Sequence, residues 1–128
     1  MPKLEFFVVS ESMVVDQSTN KVSILEVLEH VPFQENASNQ ISRCVAFSLW
    51  KVEPEDQGKD FQVLLRIHLP WEPSPHDSTV NFTATSVRHR VFTWVRGIPL
   101  QHTGELRFEV LLNGNHAAEH LISVVNEG

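Results

Sequence analysis

Residues 91–114, VFTWVRGIPLQHTGELRFEVLLNG, decide the fold, because both halves of the stretch alternate at the period of a strand. From Glu105 onward, Leu106, Phe108, Val110 and Leu112 fall on one side and Glu105, Arg107, Glu109 and Leu111 on the other, which is the repeat of a half-buried strand. Asn113-Gly114-Asn115 follows with residues that tolerate positive φ, so a hairpin turn is expected there. Upstream, Val91, Thr93 and Val95 alternate with Phe92, Trp94 and Arg96. Gly97 and Pro99 end that ladder, since proline has no N–H to donate. The loop 99–104 is then expected to join two antiparallel neighbours of one sheet.

The same two-residue repeat recurs along the chain. Leu4, Phe6 and Val8 alternate with Glu5, Phe7 and Val9, and residues 10–12 mark a break before a further extended segment at 13–15. Residues 22–31 (VSILEVLEHV) fit both a helical stripe and a strand; the short turn before them, their β-branched content and the extended bias that Pro32 imposes on Val31 favour a strand. Residues 43–52 set Val45, Phe47 and Leu49 against Cys44, Ala46, Ser48 and Trp50, two faces that are both apolar or small, as in a central strand covered on both sides. Phe61, Val63, Leu65, Ile67 and Leu69 form one inward row, and Val80, Phe82 and Ala84 another. Residues 70–78 (PWEPSPHDS) carry three prolines and read as a stiff surface loop. In the last strand, 116–125, either Ile122 and Val124 or Leu121 and Val125 supply the core.

Short strands at regular spacing with turn signals between them define an all-β chain. The expected architecture is an antiparallel immunoglobulin-like β-sandwich of seven or eight strands over a single domain, residues 1–128, with a small barrel as the second choice.

Composition bounds what such a domain does. A chain of 128 residues, 41% apolar and 20% charged, is long enough to bury a core of its own and has no apolar run of membrane-helix length. The net charge of −6 repels phosphate backbones and anionic lipid, so neither nucleic acid nor membrane is an expected partner. Cys44 is the single cysteine, which rules out an internal disulfide and suits a reducing compartment. The amino end, Met1-Pro2-Lys3-Leu4-Glu5, has none of the marks of a secretory leader, and cytoplasmic residence is expected.

Three features together resemble a known group. Val15-Asp16 before a polar turn and Lys21, the Ile98-Pro99-Leu100 corner, and the run from Gly104 through Phe108 to Asn113-Gly114 resemble a bacterial family of small single-domain proteins of unknown function with an immunoglobulin-like sandwich fold. The resemblance implies a fold, and brings no activity, cofactor or catalytic residue with it.

The residues supply no catalytic motif, phosphate-binding glycine loop or cofactor signature, so the expectation is a protein that is not an enzyme, with no cofactor and no metal. Of the seven histidines, His116 and His120 have helical ligand spacing, but on a strand they stand roughly 13 Å apart and cannot share one ion. One constellation remains. Arg88, Arg90, Phe92, Trp94 and Arg96 occupy the even positions of one strand, and Arg107, Glu109 and Leu111 are expected to extend the same face from its neighbour. Aromatic residues and arginine are enriched at binding hot spots. Two arrangements are open: Phe92 and Trp94 face solvent and form a contact surface, or a bulge near His89 turns them into the core and the arginines pair with Glu105 and Glu109. The expected function is a non-enzymatic interaction or scaffold domain acting through a sheet face or an edge strand, with a protein as partner, a second copy of the chain included. The alternative is a small-ligand module binding a sugar or anion, with Trp71 or Trp94 as its platform.

Overall fold

A computed structural model of the chain describes residues 1–127 and contains nine strands: β1 (Lys3–Val15), β2 (Val22–Val27), β3 (His30–Phe33), β4 (Gln40–Lys51), β5 (Asp60–His68), β6 (His76–Thr83), β7 (Arg88–Pro99), β8 (Gly104–Leu112) and β9 (Asn115–Asn126). A single 3₁₀ turn, Pro54–Asp56, interrupts them. The strands form two sheets, β2-β1-β4-β7 and β3-β9-β8-β5-β6. The all-β expectation is met. The strand number exceeds seven or eight because residues 22–31 do not form one strand: the backbone enters the left-handed region at Glu26 (φ 59°), and the chain leaves the first sheet as β2 and joins the second as β3. The expectation of wholly antiparallel pairing is corrected at the same place, for β3 runs parallel to β9, with Val31 opposite Val124.

The two sheets share an apolar core. Val9, Ile41, Cys44, Ala46 and Ile98 of the first meet Val31, Leu65, Ile67, Leu106, Phe108, Ile122 and Val124 of the second. A second cluster gathers Trp50, Val52, Phe61, Val63, Phe82, Val91, Val110 and Leu112. The inward rows expected on β5 and β8 are those that are buried, and Ile122 and Val124, not Leu121 and Val125, supply the core from β9. Burial of this order offsets the ordering entropy of the strands. Trp50 donates its indole N–H to Ser48 Oγ at 2.9 Å, so the polar atoms of that buried pair are satisfied.

The stretch 91–114 folds differently from its expected hairpin. β7 pairs with β4, and β8 pairs with β5 and β9, so the loop after Pro99 crosses from one sheet to the other. The cause is local. Gly97 takes φ 68°, which shifts the alternation and turns Ile98 inward, and Leu100 follows it into the core while its N–H bonds the Asn39 carbonyl at 2.9 Å. The turn at the far end is as expected: Asn113 (φ 48°) and Gly114 (φ 82°) join β8 to β9.

β1 is irregular at one place and its turn makes a long-range contact at another. A bulge between Leu4 and Phe6 lets Leu4 pack on the core and leaves Phe6 on the outer face. Farther on, the β1–β2 turn reaches β7, where Arg90 Nη2 donates to the Asn20 carbonyl at 2.7 Å and Nη1 to Asn20 Oδ1 at 3.3 Å. Since β1 and β7 flank β4 on opposite sides, the outer half of the β1–β2 hairpin lies across the outer face of β4. Asn20 and Val22 there enclose a cavity with Phe47 and Leu49. That cover accounts for the burial of Phe47, which points away from the shared core; Val45, on the same face, is buried between Ser10 and Trp94.

Candidate contact surface

The even-numbered side chains of β7 from Arg88 to Arg96 lie on the outer face of the four-stranded sheet. Val91 is buried in the core and Val95 packs against it, whereas Phe92 and Trp94 stand opposite Phe47 and Val45 of β4. No bulge at His89 reverses the alternation. The ladder from Arg88 to Arg96 keeps one register with β4, and His89 itself stacks on Phe82 at 4.0 Å.

Five side chains of this strand have five different environments. The Arg88 guanidinium grips Glu5, with Nε 2.6 Å from Oε1 and Nη2 3.2 Å from Oε2, and its hydrogen bond holds the Glu5 carboxyl below its ordinary value. Arg90 anchors the Asn20 turn. Phe92 stacks on Phe47 with centroids 5.0 Å apart, and Phe47 meets Phe6 at 6.0 Å, which makes a row of three rings across β1, β4 and β7. Trp94 is 46% exposed and has the Arg43 guanidinium 5.3 Å above its ring; Phe6, at the other end of the row, is 45% exposed. Arg96 stands directly opposite Arg43 in the ladder. Two like charges facing each other across a ladder are destabilising. The Glu11 carboxyl, itself pushed up by its hydrogen bond with Glu26 and by that residue's charge, lies close enough to feel Arg43.

Arg107, Glu109 and Leu111 do not extend this face, which corrects the expectation. They belong to β8 and lie on the outer face of the other sheet. There Glu109 sits between His68 Nε2 at 3.1 Å and His116 Nδ1 at 2.6 Å, while Arg107 bridges to Glu119 at 3.3 Å. Burial raises the Glu109 carboxyl, but the hydrogen bonds from His116 and His68 outweigh it and leave the group below its ordinary value. Leu111 is buried beside Leu64 and His116, past a register shift at Val110/Leu111. The members of the surface that alternation did not reveal are Arg43 and Phe6, with the buried Phe47 beneath Phe92. They come from two other strands, and only the ladder register brings Arg43 over Trp94 and Phe6 and Phe47 into line with Phe92.

A cleft of about 460 Å³ opens between the free edge of β7 and the start of β6. Ile67, Leu69, Val95 and Ile98 line it together with Trp94, Arg96, His76 and Glu72, whose carboxylate pairs with His76. Toward the other end the stacked pair Phe82–His89 closes the gap between the two strands. Trp71 does not offer an open platform for a sugar: it packs against the core with His102 edge-on at 5.2 Å, and its indole Nε1 is buried without a hydrogen-bond partner. The thiol of Cys44 is fully buried and pushed up to about 11 by desolvation, so it is packing and not a nucleophile at neutral pH. Among the described residues, no group of three or more histidine, cysteine, aspartate or glutamate side chains is placed to hold a metal ion. No helix of the described residues is long and apolar enough to cross a membrane.

These features define a two-sheet β protein with an aromatic and arginine-rich strand at one free edge. A comparison with protein-family models finds no match, and a comparison with curated proteins finds none either.

Proposed function

We propose that the chain is a non-enzymatic interaction domain that engages a protein partner through the outer face and free edge of β7. The observation that carries the reading is Trp94: a tryptophan left half exposed on an edge strand, under one arginine and beside another, in a chain of net charge −6. A large aromatic is usually buried, and half-exposed tryptophan with arginine is the composition of an interface centre. Cytoplasmic residence and one domain remain part of the reading, as does kinship with the bacterial family that the turns and corners resemble.

The finer fold assignment is part of the same proposal. Without β2 and β3, the strand orders β1-β4-β7 and β9-β8-β5-β6 correspond to A-B-E and G-F-C-C′ of an immunoglobulin-like sandwich. Function does not follow from that fold, so the surface has to be tested directly. A photo-crosslinking amino acid introduced in cells at Trp94, at Arg96 and, as a control on the other sheet, at Gln62 is expected to give one discrete adduct from the first two positions and none from the third. The same adducts from all three positions, or none from any, would overturn the assignment.

A further inference from the structure

We infer that the partner presents an extended segment, apolar on one side and acidic on the other, that adds to the free edge of β7 as a fifth strand; this rests on reading β7 as the contact element. An edge strand turns every second N–H and C=O outward, and native proteins blunt such edges with prolines, lysines, bulges or short length. Two of the other three edges have such features, and the third, β6, is eight residues long against twelve for β7. β3 is four residues long and contains Pro32, and β2 is six residues long with a left-handed residue at Glu26. β7 runs for twelve residues, reaches its left-handed residue only at Gly97 and its proline only at the last position, and of its three charged residues Arg88 and Arg90 are held by Glu5 and Asn20 on the outer face.

Three further observations describe the occupant. In a constant-type immunoglobulin arrangement a D strand lies beside E, and among the described residues the corresponding position next to β7 holds no strand. A strand docked there alternates its side chains between the two faces of the sheet. Those pointing inward meet the cleft of about 460 Å³ lined by Ile67, Leu69, Val95 and Ile98, which takes branched apolar side chains. Those pointing outward lie beside Trp94 and Arg96, with Arg43 opposite, where two facing arginines are relieved by carboxylates. The register is limited as well. The Phe82–His89 stack blocks the gap beside the first part of β7, so inward side chains enter only opposite the 94–98 segment.

The probe is a capped heptapeptide of alternating valine and glutamate, compared with its valine–lysine counterpart and with a peptide of the same valine and glutamate content arranged in two blocks. The alternating acidic peptide is expected to slow exchange of every second β7 amide around Trp94–Ile98, with binding weakened about tenfold by Arg96→Glu and by the lysine replacement. Equal binding by the block peptide, protection on a strand other than β7, or no binding by any peptide would overturn the inference. A native mass of two chains, with β7 amides protected in the absence of peptide, assigns the edge to a second copy and also overturns it. If a partner still crosslinks through position 94 while the peptide leaves β7 unprotected, strand addition fails and the contact surface stands; loss of both removes both.

Discussion

Replacing Trp94 by alanine separates a surface tryptophan from a core one, and the structure sets the size of the effect. Trp94 keeps 46% of its area exposed. About half of a side chain of roughly 200 Å² is then covered, and ~100 Å² at ~25 cal/mol per Å² gives about 2.5 kcal/mol as an upper bound. The ring lies on an open face, so its removal leaves no enclosed cavity and adds no cavity term; the expected loss is about 1–2 kcal/mol. Trp50 provides the internal reference. It is 1% exposed and bonded to Ser48, and Trp50→Ala is expected to cost about 3–5 kcal/mol. The assay is urea unfolding followed by far-ultraviolet circular dichroism, which does not depend on the tryptophan being removed, with m-values compared to confirm two-state behaviour. The Arg43 guanidinium contributes separately. A double-mutant cycle of Trp94→Ala with Arg43→Ala should give a coupling of about 0.5–1 kcal/mol, the range for an exposed cation–π contact. A Trp94→Ala loss equal to that of Trp50→Ala would mean that the ring is core, and the contact surface would have to be abandoned.

Three other perturbations probe the frame that holds this surface. Gly97→Ala meets no atom within 4 Å but imposes a side chain on a residue at φ 68°, so it should cost about 1 kcal/mol in urea titrations; an unchanged midpoint would show that the left-handed turn is dispensable. Burial lowers the His89 imidazole, so the unfolded chain takes up its proton first: the stability this residue contributes is present above the ordinary histidine value of about 6.5 and is lost as pH falls through the lower native value. His89→Gln should therefore flatten the stability profile on the acid side of the ordinary histidine value relative to the parent, and parallel profiles would refute the buried stack on Phe82. Because desolvation pushes Cys44 up to about 11, its contribution is complete below the ordinary thiol value and lost as pH rises through the native one. At neutral pH a thiol reagent should label Cys44 only as fast as the chain opens, and rapid labelling of the native protein would contradict its burial.

Much of the local structure was legible along the chain. The alternation of Phe61, Val63, Leu65, Ile67 and Leu69, and of Leu106, Phe108, Val110 and Leu112, gives the buried rows directly, because one face in water and one in the core impose a period of two on the residues themselves. The same reasoning left Phe92 and Trp94 open between the outer face and, through a bulge, the core, and the unbroken register with β4 decided for the outer face; the Asn113-Gly114 turn was readable from backbone preference alone. Where the repeat is broken by backbone geometry, it misleads. The bulge at Leu4/Phe6 sends Phe6 outward, the left-handed Glu26 divides residues 22–31 between two sheets, and residues 76–78, read as loop, begin β6.

What the sequence by itself determined is which face of each strand is apolar, since that depends only on the order of side chains along a pleated backbone. Which strands are neighbours was decided by the tertiary structure, because pairing depends on how loops close and on which apolar faces meet across the core. The kink at Gly97 and the burial of Leu100 carry the chain out of β7 into the other sheet, so Arg107, Glu109 and Leu111 lie on the far face, although they follow within a dozen or so residues. For the same reason Arg43, remote in sequence, stands over Trp94, and Phe47 and Phe6 line up with Phe92: cross-strand register brings together residues that no local pattern connects.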